Sequence, residues 1–367
     1  MTYNWQQKDW PQFKYELKDL EEVLFAIAEE TGHISGILKA MSEVNQSETI
    51  INMMVSEAIK TSEIEGEYIS RRDVVSSIRN NLGLNICPEK IKDKRAKGVG
   101  ELMVAVRNNY ADPLTRETLF LWHKMLFGQS SQMNTGVWRT HKDPMQVISG
   151  AMGKEKIHFE APPSAQVSQE MKRFIIWFND TAPGGRNEIK KAPVRSALAH
   201  LYFETIHPFE DGNGRIGRAI AEKALSQTIG RPVLLSLSQT IETNKKAYYG
   251  SLEKAQKTNE ITAWVTYFVK LILAAQRQAQ KQIEFTLSKA KYFDQFKDML
   301  NDRQLKVINK MFGEGPKGFE GGITAAKYVS ITKTSKATAT RDLQGLYNLG
   351  GLTIIGGGRS TRYNLPL

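Results

Sequence analysis

His207-Pro208-Phe209-Glu210-Asp211-Gly212-Asn213-Gly214-Arg215-Ile216-Gly217-Arg218 gathers into one short stretch the groups that chemistry on a nucleotide phosphate requires. A histidine takes a proton near neutral pH. Asp211, four residues on, offers the hard carboxylate oxygens that hold Mg²⁺. Gly212-Asn213-Gly214 lets backbone N–H groups approach an anion closely and form a concave nest. Arg215 and Arg218, three residues apart where a helix begins, turn two guanidinium groups and a helix N-terminus toward one polyphosphate. A Gly-rich turn with a core histidine and two surface arginines is the plain alternative. A lone His or Gly-x-Gly would merit it; this density of specified positions favours a phosphate site with a base.

The chain has 367 residues, 41% hydrophobic and 24% charged, which allows about two to three globular domains. The single Cys87 excludes an intramolecular disulfide, suits a reducing compartment, and reads as a small buried hydrophobe. The N-terminus lacks the apolar run of a signal peptide. The most apolar stretch, residues 265–275, is interrupted by Lys270 and too short to span a bilayer. A cytoplasmic protein without membrane attachment is expected. His33, His123, His141 and His158 show no zinc-ligand spacing. His200, on the helical face of His207, reads as a core or supporting histidine.

Net charge is +11, unevenly placed: from residue 301 onward ten basic side chains face four acidic ones, a net +6. That raises nucleic acid as a partner of the tail, against a merely solvated surface. Three regions follow: a mostly helical 1–90, a helical 91–285 with apolar residues at 3.6 spacing (Leu119, Leu121, Trp122, Leu126), and 286–367. Residues 275–289, rich in Gln and Lys, read as a connecting helix. Residues 146–160 carry two β-prone runs around a Gly-containing connection, closed by Pro162-Pro163, and predict a hairpin.

The tail reads as a winged helix. Asn301 or Asp302 caps a helix bearing Leu305, Ile308 and Phe312; residues 323–329 give a second; residues 335–349 give a third with Ala339, Leu343 and Leu346 on one face. A turn at 356–359 then joins two strands of a wing. Lys333, Lys336, Thr338, Thr340 and Arg341 occupy the groove-reading positions of such a module. DNA binding and homodimer formation or docking stay open as its roles.

The opening stretch resembles the Fic signature, His-x-Phe-x-(Asp/Glu)-Gly-Asn-Gly-Arg-x-x-Arg, with no departure at any specified position. The helix-like residues 197–206 lead into it as they do in Fic proteins, and Trp10-Pro11-Gln12-Phe13 resembles the N-terminal extension of many bacterial Fic domains. The implied fold is mainly α: a Fic-type helical core with a small β-hairpin flap, followed by the winged helix-turn-helix domain. The implied activity is transfer of AMP from ATP to a Ser, Thr or Tyr hydroxyl of a protein target. His207 would be the base, Gly212, Asn213 and Gly214 the anion hole, Asp211 the Mg²⁺ ligand, and Arg215 and Arg218 the holders of the β- and γ-phosphates. The flap would align an extended target segment by strand addition. Asn244, Tyr248 and Tyr249 fall on the helix that closes over the adenine in the family, where core packing is the alternative. Thr61-Ser62-Glu63-Ile64-Glu65-Gly66 is similar to the family's inhibitory motif (Ser/Thr)-x-x-x-Glu-(Gly/Asn), which gives Thr61, Glu65 and Gly66 an inhibitory role through Glu65 and Arg218. A solvated acidic helix is the other reading of that segment. The competing functional class is a DNA-binding transcription regulator whose Fic domain senses nucleotide or modifies itself.

Overall fold

The computed structural model describes residues 2–128, 133–149 and 156–366, except the side chains of Lys317 and Arg359. In chain order the helices are α1 (Glu21–Ala40), α2 (Glu43–Ile64), α3 (Arg71–Asn81), α4 (Lys94–Asn108), α5 (Arg116–Phe127), α6 (Ser164–Asp180), α7 (Ala192–Ile206), α8 (Asn213–Ile229), α9 (Leu237–Thr243), α10 (Lys245–Ala255) and α11 (Thr262–Phe296). Strands β1 (Gln146–Ser149) and β2 (Lys156–Glu160) lie between α5 and α6. The chain is mainly helical, as expected, and forms two units: residues 1–32 with 50–279, and residues 33–49 with 280–367.

The first unit is built around α7. Every residue of α7 is buried, so its polar side chains must find partners inside the fold. Arg195 donates to the Phe178 carbonyl (2.7 Å), the Ala224 carbonyl (3.0 Å) and Gln227 Oε1 (3.0 Å), and Ser196 donates to the Ala221 carbonyl (2.7 Å). The apolar remainder, Tyr202, Phe203 and Ile206, packs with Ile216 and Ile220 of α8 and with Phe174 and Phe178 of α6. Fully burying one such side chain contributes about 1.5–3 kcal/mol. The N-terminal segment joins this core: Trp10 and Phe13 meet the Tyr202 ring edge-on, and Trp10 Nε1 donates to Glu170 (2.9 Å).

Side-chain caps set the helix starts. Ser70 accepts from Asp73 N–H, Asp93 from Arg95 and Ala96, and Thr115 from Thr118. On α5, Leu119, Trp122 and Leu126 are buried as expected, whereas Leu121 is 52% exposed. It falls between the i, i+3 and i+7 positions of the inward stripe. Cys87 is exposed too, correcting the buried reading: it lies in the irregular segment between α3 and α4, outside any apolar cluster.

The expected hairpin is present, β1 pairing antiparallel with β2 from Gln146↔Glu160 to Ser149↔Lys156. Its connection, residues 150–155, lies outside the described residues.

The second unit holds α12 (Asp302–Gly313), α13 (Ala325–Thr332), α14 (Lys336–Asn348) and the antiparallel strands β3 (Thr353–Ile355) and β4 (Arg362–Asn364). Asn301 caps α12 in a capping box with Gln304. The inward face of α12 is Val307, Ile308, Met311 and Phe312, with Leu305 at its margin. Helix α13 starts two residues later than the sequence implied. Thr324 caps it by accepting from Lys327 N–H, and Ile323 instead exchanges backbone hydrogen bonds with Tyr363 (2.8 and 2.9 Å). Ala339, Leu343 and Leu346 of α14 are buried, and Gly350, at φ 77°, turns the chain out of the helix.

Candidate active site

The turn between α7 and α8 is fixed from several sides. His207, in the left-handed region at φ 50°, closes α7, and Gly212, at φ 79°, opens α8. Between them the Phe209 ring is fully buried and stacks on His123, with centroids 4.2 Å apart. The Asn213 side chain accepts from Phe209 N–H (2.9 Å) and donates to the Phe209 carbonyl (2.8 Å), bracing the turn across its mouth. Arg139, from the segment before β1, donates to the carbonyls of His207 (2.8 Å) and Pro162 and to Ser164 Oγ (2.9 Å). Its own N–H bonds the Pro208 carbonyl at 2.9 Å. Gly136 N–H donates to His123 Nδ1 (2.8 Å), which leaves the ring proton on Nε2, 3.2 Å from the Asp211 carbonyl. Burial pushes the His123 pKa down to about 4, so this strut stays neutral at physiological pH.

His207 is a free base under the same conditions. Burial pushes its pKa down to about 4, Arg139 adds to the fall, and the Glu204 backbone carbonyl and the Glu65 and Asp211 carboxylates pull the other way. Its side chain keeps 19% of its surface exposed and lines a cavity of about 740 Å³. Gly212, Asn213 and Gly214 at the start of α8 line the same cavity, together with Asp211, Arg218, Glu65, the hairpin strands, and Tyr248 and Tyr249 of α10. An anion placed there meets the positive end of the α8 dipole.

The two arginines of the motif part company. Arg218, 2% exposed, donates from Nε to Thr61 Oγ1 (2.7 Å) and from Nη2 to the Thr61 carbonyl (3.0 Å) and Glu65 Oε1 (2.8 Å). Burial works against its charge, yet Glu65, with Tyr248 and Tyr249 adding to it, holds the pKa above the ordinary guanidinium value. Gly214 makes room for the pair: a Cβ there would stand 2.3 Å from Glu65 Oε1. Arg215 stays outside the cavity lining. Its Nη1 donates to Glu67 Oε2 (2.7 Å), its guanidinium lies 4.9 Å from the Phe127 ring centroid, and Asp211 is 3.9 Å away. Glu65 and Glu67 sit on the turn after α2, where Gly66 adopts φ 80°, a conformation that favours glycine.

Tyr248 is buried with its hydroxyl 2.7 Å from His200 Nε2, and Tyr249 stands 41% exposed. Asn244 caps α10 by accepting from Ala247 N–H (3.1 Å), is exposed, and is not among the cavity-lining residues. Among the described residues no three His, Cys, Asp or Glu side chains gather as a metal site. The Asp211 carboxylate, 58% exposed and lining the cavity, is the oxygen donor type that takes Mg²⁺ jointly with substrate phosphates. Sequence reasoning assigned no part to Arg139, His123, Glu67 or Glu204. The first two carry the turn from distant segments; His123 shows in the sequence only as a polar residue within an apolar stretch, and Arg139 only as the end of Gly136-Val137-Trp138-Arg139, which resembles the family ahead of the hairpin.

Residues 113–225 match the Fic/DOC family, and residues 3–84 match a domain of unknown function (DUF4172). The protein adenylyltransferase fic-1 of Caenorhabditis elegans is 26% identical over 159 residues, 43% of this chain and 27% of the relative. A probable protein adenylyltransferase of Aquifex aeolicus is 30% identical over 147 residues, 40% of this chain and 38% of the relative. The chain thus spans well under half the length of these curated relatives. A Fic family protein of Desulfovibrio desulfuricans G20 shares the fold over 97% of this chain and 98% of its own, with a TM-score of 0.54 at 19% identity. No helix among the described residues is long and apolar enough to cross a membrane.

Proposed function

Because residues 113–225 of this chain are a Fic/DOC domain, we propose that the protein is a protein adenylyltransferase restrained by its own Glu65. It transfers AMP from ATP to a Ser, Thr or Tyr hydroxyl, on a protein target or on itself, and releases pyrophosphate. The observation that carries this reading is the Glu65–Arg218 pair at 2.8 Å, seated over Gly214 in the cavity that His207 also lines.

The backbone N–H groups of Gly212, Asn213 and Gly214 bind the α-phosphate region, with the α8 dipole behind them. Arg218, released from Glu65, takes the γ-phosphate, and Arg215 contributes positive charge to the β-phosphate once Glu67 lets go. His207 receives the target hydroxyl's proton at Nε2 while the hydroxyl oxygen attacks the α-phosphorus in line. When bound, Mg²⁺ on Asp211 would neutralise charge on the phosphates. With Glu65 in place the γ-phosphate has no arginine, so ATP binds with its α-phosphate turned from in-line attack. Tyr248 and Tyr249 line the same cavity and would pack against the adenine ring.

The test is incubation of wild type, Glu65→Gly and His207→Ala with α-labelled ATP, Mg²⁺ and cell lysate. Label on protein from Glu65→Gly, lost by about 10²–10⁴-fold on adding His207→Ala, is expected. Undiminished label in the double variant would end the assignment of the base.

A second reading, a DNA-binding regulator, rests on α14. Lys336, Thr340 and Arg341 are exposed opposite the buried Ala339, Leu343 and Leu346. Binding of duplex DNA by the full chain should then fall steeply with salt and weaken in Lys336→Ala/Arg341→Ala. No mobility shift even at low salt would remove this reading.

A further inference from the structure

Glu204 is a buried acid for which the transfer reaction above has no use. It lies on α7 one turn before His207, with 6% of its side chain exposed, and its Oε2 is 3.8 Å from His207 Nδ1. Glu204 Oε1 and His207 Nδ1 are both buried without a hydrogen-bond partner. The slot that holds the carboxyl exists because position 217 has no side chain: a Cβ on Gly217 would stand 2.1 Å from Glu204 Oε1. An unpartnered buried carboxyl costs stability, so packing alone gives no reason for its presence.

We propose that Glu204 is the positioning residue of the base: its carboxyl faces His207 Nδ1 from behind, keeps Nε2 toward the cavity, and balances the charge the ring acquires when it takes the target's proton. This rests on the adenylyltransferase reading. In the transfer step the target O–H bond breaks and its proton goes to Nε2 as the oxygen bonds to the α-phosphorus. The α–β bridging oxygen leaves with its electron pair in pyrophosphate, and Glu204 neither gains nor loses a proton. It does for the imidazole what the third member of a nucleophile–base–orienter set does.

The groups facing Glu204 are His207 itself, His200 one turn earlier on α7 and against the same Gly217 slot, Arg218 from α8, Glu65 from the turn after α2, and Tyr248 and Tyr249 from α10. Burial pushes its pKa up to about 8, with Arg218 opposing and Glu65 adding to the rise. At neutral pH it is mainly the acid; above pH 8 it is a carboxylate, which steadies an imidazolium better. Transfer should therefore quicken as Glu204 ionises.

The experiment follows self-labelling by the full Glu65→Gly chain from pH 6 to 9.5, with and without Glu204→Gln. The rate of Glu65→Gly should climb as Glu204 ionises, at a lower pH than in the intact chain because Glu65, which adds to the rise, is gone. Glu204→Gln should abolish that climb, its deficit widening to about tenfold at pH 9. Profiles that run parallel or coincide would overturn the proposal, because a merely structural role lowers the rate equally at every pH. A Glu65→Gly chain that labels nothing would overturn the transferase reading instead, and the pair is then read without turnover. Imidazole ¹⁵N resonances of His207, identified by their loss in His207→Ala, should report an Nδ1–H tautomer and an inflection near pH 8 that Glu204→Gln removes. An Nε2–H tautomer, or no inflection, would overturn it on that route.

Discussion

Arg215 donates to Glu67 at 2.7 Å, three residues from where Arg218 donates to Glu65 at 2.8 Å. The short turn after α2 thus occupies both arginines of the motif. The second pair is an addition to what the inhibitory motif specifies, since Glu67 lies outside that motif.

The two pairs should restrain transfer unequally. Glu65 lines the cavity itself, so Glu65→Gly should raise self-labelling by about 10²-fold, the effect of restoring one misplaced phosphate. Glu67 is 26% exposed and outside the cavity lining, so Glu67→Gln should raise it only about 2–5-fold. Side-by-side initial rates decide this, and equal rates for wild type and Glu65→Gly would leave Glu65 a surface acid.

Gly217 and Glu204 should be coupled in stability. Gly→Ala inside a helix ordinarily gains up to about 1 kcal/mol, but the Cβ clash with Glu204 Oε1 should cost about 1–3 kcal/mol. Gly217→Ala should therefore destabilise wild type, and clearly less so in a Glu204→Ala chain, where the contact of the new Cβ with His200 Cε1 at 3.3 Å remains. Urea unfolding of the four proteins in the cycle gives the coupling directly; additive effects would mean the carboxyl does not fill that slot.

Acid should weaken the fold partly through His200. Its side chain is fully buried, and burial pushes its pKa down to about 4 from the ordinary 6.5. The unfolded chain takes a proton near pH 6.5 that the folded chain refuses until about 4, so stability is lost as pH falls through that window. Replacing it, as in His200→Gln, should flatten the stability–pH slope between 6.5 and 4 by up to about 1.4 kcal/mol per pH unit. Unfolding titrations at several pH values measure this, and an unchanged slope would mean His200 protonates freely in the fold.

The sequence made the local parts of the site legible. A histidine at a helix end, glycines where positive φ is needed and arginines at the next helix start are all encoded within twelve neighbouring positions. The hairpin, the three helices of the tail and the capping residue Asn301 were legible for the same reason. What escaped depends on distant pairings. Arg139 reaches His207 across 68 residues and Arg215 reaches Glu67 across 148. Glu204 reads as one polar residue in an apolar helix until packing shows that no face of α7 is solvated. Leu121 failed the periodic reading because one residue of slip changes the face, and Ile323 because the helix starts two residues later, where a backbone pairing with Tyr363 decides the boundary.

The Asn213 clasp on Phe209, together with Arg139 and His123, leaves the motif turn little freedom to change shape. Control by bending that turn is therefore closed to this fold. On the proposed function, what varies is tenancy of a finished socket, since Glu65 and a substrate phosphate would claim the same Arg218 guanidinium. On that reading the off state would be a competitor tethered at high effective concentration, and the on state would need its eviction, not the building of a site.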